Sequence, residues 1–331
     1  MFTFASMKPL RTELFVKKPD FTISLRDPIF TLGSCFADAM GQQLVANKFN
    51  VQVNPFGTVY NPVSIHRLLR YCVDDTNIDN IGYLQRDDFY FHHDFHSTHV
   101  AADQGALAKQ LQQLVRAQRT HLAKSNILVL TYGTAFVYRR NDNGQIVANC
   151  HKVPAAQFTK QLLTAEEMVQ DFRSIKDKLK SINPALKVIL TVSPVRHIKD
   201  GLEENTLSKS ILRAGCHALT QEKDVAYFPA YELMMDDLRD YRFYKTDRIH
   251  PTEEAEEYIW EKFTEAYLDE RTKTLLQEWH EVKSALHHKP FQPASVAHQQ
   301  FLQKTLLRLQ GIADHMDVRD EIAELQSKMY A

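Results

Sequence analysis

Gly33, Ser34 and Cys35 stand side by side where a short apolar run ends and a helical pattern begins. A side chain in such a strand-to-helix turn lies beside the first N–H groups of the helix and the positive end of its dipole. The hydroxyl and the thiol are therefore both candidate nucleophiles, and a thiol at a helix N-terminus is expected to have a lowered pKa. The alternative is that Ser34 only caps the helix and Cys35 is a small core residue.

Asp247 precedes His250 by three residues, just before a helical pattern at 253–268. At this spacing a loop can fold back so that the carboxylate holds the imidazole, fixes its tautomer and stabilises the imidazolium during proton transfer. Asp-x-x-His alone arises often by chance. Here it opens the last helix of an α/β pattern that begins with a Gly-Ser-Cys turn, and nucleophile, Asp, His is a known chain order for a catalytic triad.

Four residues at strand ends are candidate donors for an oxyanion hole. Asn54 and Gly57 follow the second apolar run, and Gly133 and Thr134 follow the third. The N–H groups of the glycines and the side chains of Asn54 and Thr134 could converge on a developing negative charge, together with the N–H group of the nucleophile. The alternative is that these are turns at strand ends, which any doubly wound fold needs.

Arg196 and His197 follow the fourth apolar run and are candidate substrate contacts. An arginine there could bind a substrate carboxylate or phosphate through two hydrogen bonds, and the histidine could line the pocket. The alternative for Arg196 is an ion pair with the acidic region around Asp236, Asp237 and Asp240.

Histidine is frequent, with 15 copies, and the densest group comprises His92, His93, His96 and His99 together with Asp94. We expect this group to form a loop at the mouth of the substrate site, with His96 as a substrate contact. The alternative is a metal-dependent hydrolase that uses loop 92–99.

A second Cys-His pair, Cys150 and His151, makes Cys150 a rival nucleophile, although no strand-to-helix turn supports it. We count His151 among the candidate substrate contacts. No metal site and no cofactor are predicted.

Short apolar runs of the kind found in buried strands alternate with amphipathic helical patterns. This alternation predicts an α/β fold, a doubly wound, mostly parallel sheet of about five strands flanked by helices in three layers, with reactive groups at the carboxyl ends of the strands. A hairpin with a turn at Asn143-Gly144 is predicted within residues 136–148. The runs occupy 28–32, 51–53, 127–132, 187–192 and 225–228, and the helical patterns 36–48, 106–122, 165–182, 205–219 and 253–268.

The composition changes after residue 268, which predicts an α/β domain at 1–268 and a helical extension at 269–331. Residues 287–295 have the character of a linker. A leucine-rich spacing at 302–316 covers about two heptads, which is too short to predict a coiled coil. We expect a helical pair packed on the main domain, and the alternative is a homodimer formed through these helices.

The charge and composition exclude several classes of protein. With 40 Lys and Arg against 41 Asp and Glu, the net charge of −1 gives no bulk attraction to nucleic acid or to anionic membranes. No apolar run approaches the roughly 20 residues of a membrane span, and the first twenty residues lack the pattern of a secretory signal. The four cysteines are widely spaced, so we expect reduced thiols and a cytoplasmic location.

Several stretches between about residues 25 and 265 resemble the GSCFA family, which is similar to the SGNH/GDSL hydrolases. The resemblance implies the SGNH-like fold and an active-site layout rather than a particular substrate. The stretches that carry it are LGSCFA (32–37), VNPFGTVYNPVSI (53–65), LTYGTAFVY (130–138), VANCHKVP (147–154), TVSPVRH (191–197), DGLEENTLSKS (200–210) and YFPAYELMMDDLRDYRFYKTDRIHP (227–251).

The first SGNH block reads Gly-Asp-Ser, and its alignment with this chain leaves two choices of nucleophile. Aligned without a gap, Gly33 matches the glycine, Ser34 the aspartate and Cys35 the nucleophilic serine. A shift of one residue would restore Ser34 as the nucleophile. The resemblance also implies that Gly57 matches the glycine of the second block.

The third and last SGNH blocks are matched unequally. The third reads Gly-x-Asn-Asp, but the sequence from Gly133 to 136 contains no asparagine, so Thr134 or Asn54 would have to replace that oxyanion donor. The last block, Asp-x-x-His, matches Asp247 and His250 without alteration.

These residues predict an SGNH-like hydrolase or acyltransferase that acts on an ester or acyl substrate, a small molecule or a glycan ester, through a covalent acyl-enzyme. A thiol nucleophile with a weaker oxyanion hole suits transfer through a thioester at least as well as ester hydrolysis. The alternatives are a non-catalytic ligand-binding module on the same fold and the metal-dependent hydrolase described above.

Overall fold

A five-stranded parallel sheet forms the centre of the computed structural model, which describes residues 12–74, 78, 80–288, 290–292 and 295–329. Residues 1–11, on which the prediction about a secretory signal partly rests, lie outside the described residues. In chain order the strands are β1 (Ile29–Gly33), β2 (Val51–Val53), β3 (Tyr83–Arg86), β4 (Phe89–His92), β5 (Ile127–Tyr132), β6 (Phe136–Arg140), β7 (Ile146–Val147), β8 (Phe158–Leu162), β9 (Lys187–Val192) and β10 (Val225–Phe228).

Helices follow most strands of the central sheet and cover both of its faces. The predicted helical patterns agree with these helices to within a few residues, and α4 matches its prediction at both ends. The helices are α1 (Cys35–Ala46), α2 (Pro62–Asp74), α3 (Gln104–Lys124), α4 (Ala165–Ile182), α5 (Leu202–Leu219), α6 (Ala230–Glu232), α7 (Glu253–Tyr267), α8 (Glu270–His287), α9 (Val296–Ile312) and α10 (Arg319–Met329).

The order of the central strands is β10-β9-β5-β1-β2, and all neighbours run parallel. Counted along the chain this is the doubly wound 2-1-3-4-5 arrangement of flavodoxin-like folds, so the predicted fold class is confirmed. The winding direction reverses between β1 and β5. A crevice opens at the carboxyl ends of strands at such a reversal, and ligands bind there in folds of this type.

Two apolar cores lie on opposite faces of the sheet. Successive side chains of a strand point to opposite faces, so Leu128 and Leu130 of β5 join the core beneath α2 to α5. Ile127 and Val129 join the core shared by α1, α7 and the C-terminal helices. Burial on both faces explains why the central strands are apolar at consecutive positions.

The predicted hairpin is present, because β6 pairs antiparallel with β7. Strand β8 adds to its other edge, and β3 pairs with β4 in a second hairpin; neither was predicted. Helix α2 is also absent from the predictions, although Ile65, Leu68, Leu69 and Cys72 recur at helical spacing and are all buried.

The C-terminal helices pack against the α1 face of the domain, which confirms the helical extension. The indole N–H of Trp279 donates to the carbonyl of Ala46 at 3.0 Å, and Leu302 and Leu309 of the heptad-like spacing are buried within the chain. The division at 268/269 and the homodimer stay predictions. Of the predicted linker, residues 289, 293 and 294 lie outside the described residues.

Within the described ranges, no helix is both long and apolar enough to span a membrane.

Replacing Gly33 by alanine should destabilise the fold strongly. A Cβ at Gly33 would lie 2.2 Å from the carbonyl oxygen of Thr131 on the paired strand β5, and the φ of Gly33 is +152°. Because the two backbones are held in register, we expect a loss of about 3 kcal/mol or more in the free energy of unfolding, measured by urea denaturation.

Gly311→Ala in α9 is the matched control, because a Cβ there meets nothing within 4 Å. This substitution should raise the free energy of unfolding by about 0.5–1 kcal/mol through helix propensity. Equal small effects at both glycines would contradict the close approach of β1 and β5.

Candidate active site

The turn between β1 and α1 presents Cys35 at the carboxyl edge of the sheet. The Gly33 N–H donates to Oδ1 of Asn54 at 2.8 Å, and the Ser34 N–H donates to the Thr131 carbonyl at 3.0 Å. Ser34 is the N-cap residue, so Cys35 is the first residue of α1. Hydrogen bonds to the end of β2 on one side and to β5 on the other therefore fix the turn that carries the two candidate nucleophiles.

Cys35 faces His250, which lies 215 residues later in the chain. The Sγ of Cys35 is 3.7 Å from Nε2 of His250, and Nδ1 of His250 donates to Oδ2 of Asp247 at 2.7 Å. Since an ionised carboxylate only accepts hydrogen bonds, Nδ1 carries a proton, and in the neutral imidazole this tautomer leaves the lone pair of Nε2 facing the thiol. This is the geometry of a nucleophile, a base and an orienting acid.

The loop that carries His250 is held by its own main chain and by the loop after β9. Oδ1 of Asp247 accepts the N–H groups of Ile249 at 2.8 Å and His250 at 3.0 Å. The N–H of Arg196 donates to the Ile249 carbonyl at 3.2 Å. The hydrogen bond from His250, helped by these N–H groups, lowers the pKa of Asp247 to about 2. The carboxylate is therefore ionised wherever the imidazole has to act as a base.

The thiol of Cys35 has a raised pKa, and the expectation of a lowered pKa is wrong. Burial is the largest cause and the carboxylate of Asp38 adds to it. The charge of Lys209 and the N–H groups of Cys35 and Phe36 act in the other direction but do not compensate. The resting group is a neutral thiol, which would have to lose its proton before or during any nucleophilic attack.

Ser34, the other candidate nucleophile, points away from solvent. Its side chain is 1% exposed, makes no capping hydrogen bond, and its Oγ has no partner among the described residues. It lies against the end of β5, because a Cβ added at Gly133 would be 3.1 Å from the Ser34 Cβ. Of the two neighbours, the thiol is the one hydrogen-bonded to His250.

The N–H groups predicted as oxyanion donors already have acceptors within the chain. The Gly57 N–H donates to the Asn54 carbonyl at 2.8 Å. The N–H groups of Gly133 and Thr134 donate to the Tyr60 carbonyl at 2.8 and 3.1 Å. These bonds close the turns that follow β2 and β5, as in the alternative interpretation of these glycines.

The side chains predicted as donors are occupied as well. The amide nitrogen of Asn54 donates to Oδ1 of Asp38 at 2.8 Å and approaches the Ser34 carbonyl at 3.4 Å. The Thr134 hydroxyl lies 3.1 Å from the hydroxyl of Ser208 and accepts the Phe136 N–H at 3.1 Å. Asn54 therefore positions the β1–α1 turn rather than offering a spare donor.

The N–H groups in the first turn of α1 are a further set of candidate oxyanion donors. The first N–H groups of a helix have no partner within the helix, and those of Cys35 and Phe36 are directed at the Cys35 sulfur, where they lower its pKa. They lie beside the candidate nucleophile, where an oxyanion would form on a carbonyl that this sulfur attacked.

Lys209 is a residue of the site that the sequence predictions omitted. It is 1% exposed, and its Nζ donates to the carbonyls of Gly133 at 2.7 Å and Ser193 at 2.6 Å, just beyond the ends of β5 and β9. Burial lowers the pKa of Lys209 to about 7, whereas the charge of Cys35 acts to raise it. The sequence contained a signal for this residue: a lysine, which is rarely buried, occupies position 209 on the same buried face of α5 as Leu212.

Arg196 and His197 lie on the same edge of the sheet. The guanidinium of Arg196 covers the ring of Tyr244 at 4.0 Å from its centroid and that of Tyr241 at 4.9 Å. These rings, rather than the acidic region 236–240, are its side-chain contacts in the described structure. The His197 N–H donates to Oδ1 of Asn205 at 2.8 Å, and burial lowers the pKa of the His197 imidazole.

His96 and His151 lie in different surroundings. His96 packs on the turn after β2, since a Cβ on Gly57 would lie 2.4 Å from the His96 Cβ. His151 is buried and its Nε2 lies 2.9 Å from the His92 carbonyl. It lines a cavity whose lining does not include Cys35. Cys150 has a pKa raised by burial, and the imidazole of His151 is directed at His92 instead of its neighbour.

The histidine-rich segment is used for packing and hydrogen bonding. Nδ1 of His92 accepts the Asp94 N–H at 3.1 Å, Nδ1 of His93 lies 2.8 Å from the Asn149 carbonyl, and the Asp94 carboxylate binds Arg67 at 2.6 Å. Among the residues described by the structure, no three His, Cys, Asp or Glu side chains form a group that could hold a metal ion. This geometry does not favour the metal-dependent alternative.

Comparison with known proteins gives two family matches. A model of the GSCFA family matches residues 28–263, and a model of the GSCFA domain protein, C-terminal domain, matches residues 279–331. No curated protein matches the chain.

Among solved structures, the chain is similar to one from Streptococcus pneumonia whose name refers to platelet activating factor. The two share 14% identity with a TM-score of 0.36, over 73% of this chain and 85% of that chain.

Proposed function

The chain belongs to the GSCFA family, and from this premise we propose that it transfers or hydrolyses acyl groups through a thioester on Cys35. The observation that carries the proposal is the 3.7 Å separation between Sγ of Cys35 and Nε2 of His250, whose Nδ1 is bound to Asp247 at 2.7 Å. This arrangement has the three roles that nucleophilic acyl transfer requires.

In the acylation step, Nε2 of His250 takes the proton of the Cys35 thiol while the sulfur attacks the acyl carbonyl carbon. The carbonyl π electrons move to oxygen, and the N–H groups of Cys35 and Phe36 receive the oxyanion. When the tetrahedral intermediate collapses, the bond to the leaving oxygen breaks and His250 returns the proton to it. The products are a Cys35 thioester and a free alcohol.

In the second step, an acceptor hydroxyl attacks the thioester carbonyl while Nε2 of His250 takes its proton. The C–S bond then breaks, and His250 returns the proton to the Cys35 sulfur. The acceptor is water in hydrolysis and an alcohol in transfer. The raised pKa of Cys35 supports a base-assisted route, because a neutral thiol needs His250 to become a nucleophile. Asp247 orients the imidazole and balances the charge it acquires.

The test is to capture the thioester. The protein is mixed with p-nitrophenyl acetate, quenched in acid and weighed intact, and the acylated peptide is then mapped. We expect one acetyl group on the peptide that contains Ser34 and Cys35, released by neutral hydroxylamine, which cleaves thioesters far faster than oxygen esters.

Three alanine variants locate the adduct. Cys35→Ala should abolish it, whereas Ser34→Ala and Cys150→Ala should retain it; Cys150 is the matched control because it is a second cysteine with a burial-raised pKa. An adduct that persists in Cys35→Ala and is lost in Ser34→Ala would move the nucleophile to the serine. Absence of both adduct and turnover would favour the ligand-binding module.

A further inference from the structure

A cavity of about 420 Å³, separate from the Cys35 site, is formed by the β3–β4 hairpin and by the segments around Ser97 and His151. Its lining does not include Cys35, His250 or Lys209. The volume is in the range of pockets that hold small molecules. The proposed acyl chemistry assigns no role to this cavity.

Two cationic side chains stand at the cavity wall. Arg86, at the end of β3, uses Nη1 to bind the His151 carbonyl at 2.6 Å, and its Nη2 has no hydrogen-bond partner among the described residues. Lys152 is exposed and is likewise unpaired within the described chain. The carboxylate of Asp87 lies 3.4 Å from Nε of Arg86, and because the Asp87 side chain is 80% exposed, water screens this ion pair.

The backbone that presents Lys152 is held in a costly conformation. His151 and Lys152 have φ of +48° and +60° in succession, although neither is glycine. A hydrogen bond from the His151 N–H to Oδ1 of Asn149 at 2.8 Å holds this turn. Non-glycine residues adopt the left-handed region where the surrounding structure imposes it, and such residues cluster at binding sites.

The remaining walls are aromatic and apolar. The guanidinium of Arg86 lies 4.9 Å from the ring centroid of Phe91, and that ring lies 5.0 Å from the ring of His151. Burial lowers the pKa of His151 to about 4, so at neutral pH it is an uncharged ring rather than a third cation. Phe89 is half-exposed at the rim, and Val100 completes the apolar side.

We propose that this cavity binds a small organic anion, a phosphate or carboxylate joined to a flat apolar group. The two cations would hold the anionic group and the rings of Phe89 and Phe91 would cover the flat group. A neutral apolar ligand would bury Arg86 and Lys152 without counter-charge, which is unfavourable. A cationic ligand would be repelled.

The experiment is calorimetric titration of the full chain with phenyl phosphate, inorganic phosphate and benzyl alcohol at low ionic strength. Phenyl phosphate should bind at least about tenfold more tightly than either of the other two, because only it engages both kinds of wall. Adding salt should weaken it. Equal affinity for phenyl phosphate and inorganic phosphate, or for phenyl phosphate and benzyl alcohol, would overturn the proposal.

Substitutions test the two walls separately. Lys152→Gln should weaken phenyl phosphate about tenfold, while the matched control Lys304→Gln, an exposed lysine of α9, should change nothing. Phe89→Ser should remove most of the preference for phenyl phosphate over inorganic phosphate. If Lys152→Gln and the unaltered chain bind phenyl phosphate with the same affinity, the proposed site is refuted. Since the readout is binding, the outcome is independent of whether Cys35 catalyses.

Discussion

A His250→Ala variant is expected to lose about 10³-fold or more in kcat/KM at pH 7 with an activated ester. The reason is the raised pKa of Cys35, which leaves the thiol protonated once the base is gone. Direct ionisation then becomes the only source of the nucleophile. Because a thiol loses its proton as pH rises, activity of the variant should climb about tenfold per unit from pH 7 to about 8.5.

His217→Ala is the control for this prediction, since His217 is an exposed histidine near the end of α5. It should retain the activity and the pH profile of the unaltered chain. A His250→Ala variant with full activity at pH 7 would remove the base from the mechanism. A loss that higher pH does not restore would show that His250 does more than deprotonate the thiol.

Replacing Lys209 by methionine should reduce kcat/KM by about 10²-fold while leaving the fold intact. The buried ammonium has two carbonyl partners and, within the described part of the chain, no carboxylate partner, so a thiolate or an oxyanion at Cys35 is the negative charge that would balance it. Without it the Cys35 pKa should rise further. Alkylation of Cys35 by iodoacetamide, followed against pH, should therefore shift to higher pH in the variant.

Stability should change in the opposite sense to activity. A lysine with a folded-state pKa of about 7 binds fewer protons in the folded than in the unfolded chain above that pH. The Lys209 contribution to the free energy of unfolding therefore rises with pH between about 7 and 10. Lys209→Met should lose this dependence and be at least as stable at pH 7, because removing a buried unpaired charge is often neutral or favourable.

Lys180→Met is the matched control. Lys180 also donates to main-chain carbonyls, those of Pro184 at 3.1 Å and Leu186 at 2.7 Å, but at the amino end of β9, and it differs from Lys209 in binding a carboxylate, that of Asp224 at 2.8 Å. It should leave the alkylation profile of Cys35 unchanged. Identical profiles for Lys209→Met and the unaltered chain would mean that Lys209 only ties β5 to β9.

The two halves of the candidate site differ in how far the sequence could predict them. Asp247 and His250 are three residues apart, and the hydrogen bond between them forms inside one loop, so a local pattern was sufficient. Whether the predicted oxyanion donors are available was harder to predict from the sequence. Whether the N–H groups of Gly57 and Gly133 are free depends on the carbonyls of Asn54 and Tyr60, and no spacing rule places those acceptors.

The pKa of Cys35 likewise depends on one feature that the sequence shows and on others that only the packed structure sets. Its place at a helix N-terminus was readable and favours a thiolate. Its burial, and the carboxylate of Asp38 one turn further along α1, are properties of the packed structure, and together they reverse the expected direction. The two small antiparallel sheets include short strands such as β7, of two residues, whose pairing depends on neighbours rather than on propensity.

By itself the sequence determined the doubly wound sheet, because buried strands and amphipathic helices each have a period that can be read along the chain. It also determined the Asp247–His250 pair, a contact within one loop. Only the tertiary structure shows which of the Ser34 and Cys35 side chains faces His250, because successive positions at a helix start differ by about 100° in direction. It places the thiol beside an imidazole 215 residues away and the Cβ of Ser34 against Gly133 at the end of β5. The same packing places the ammonium group of Lys209 on the carbonyls of Gly133 and Ser193, whereas the sequence offered only the place of position 209 in the buried stripe of α5.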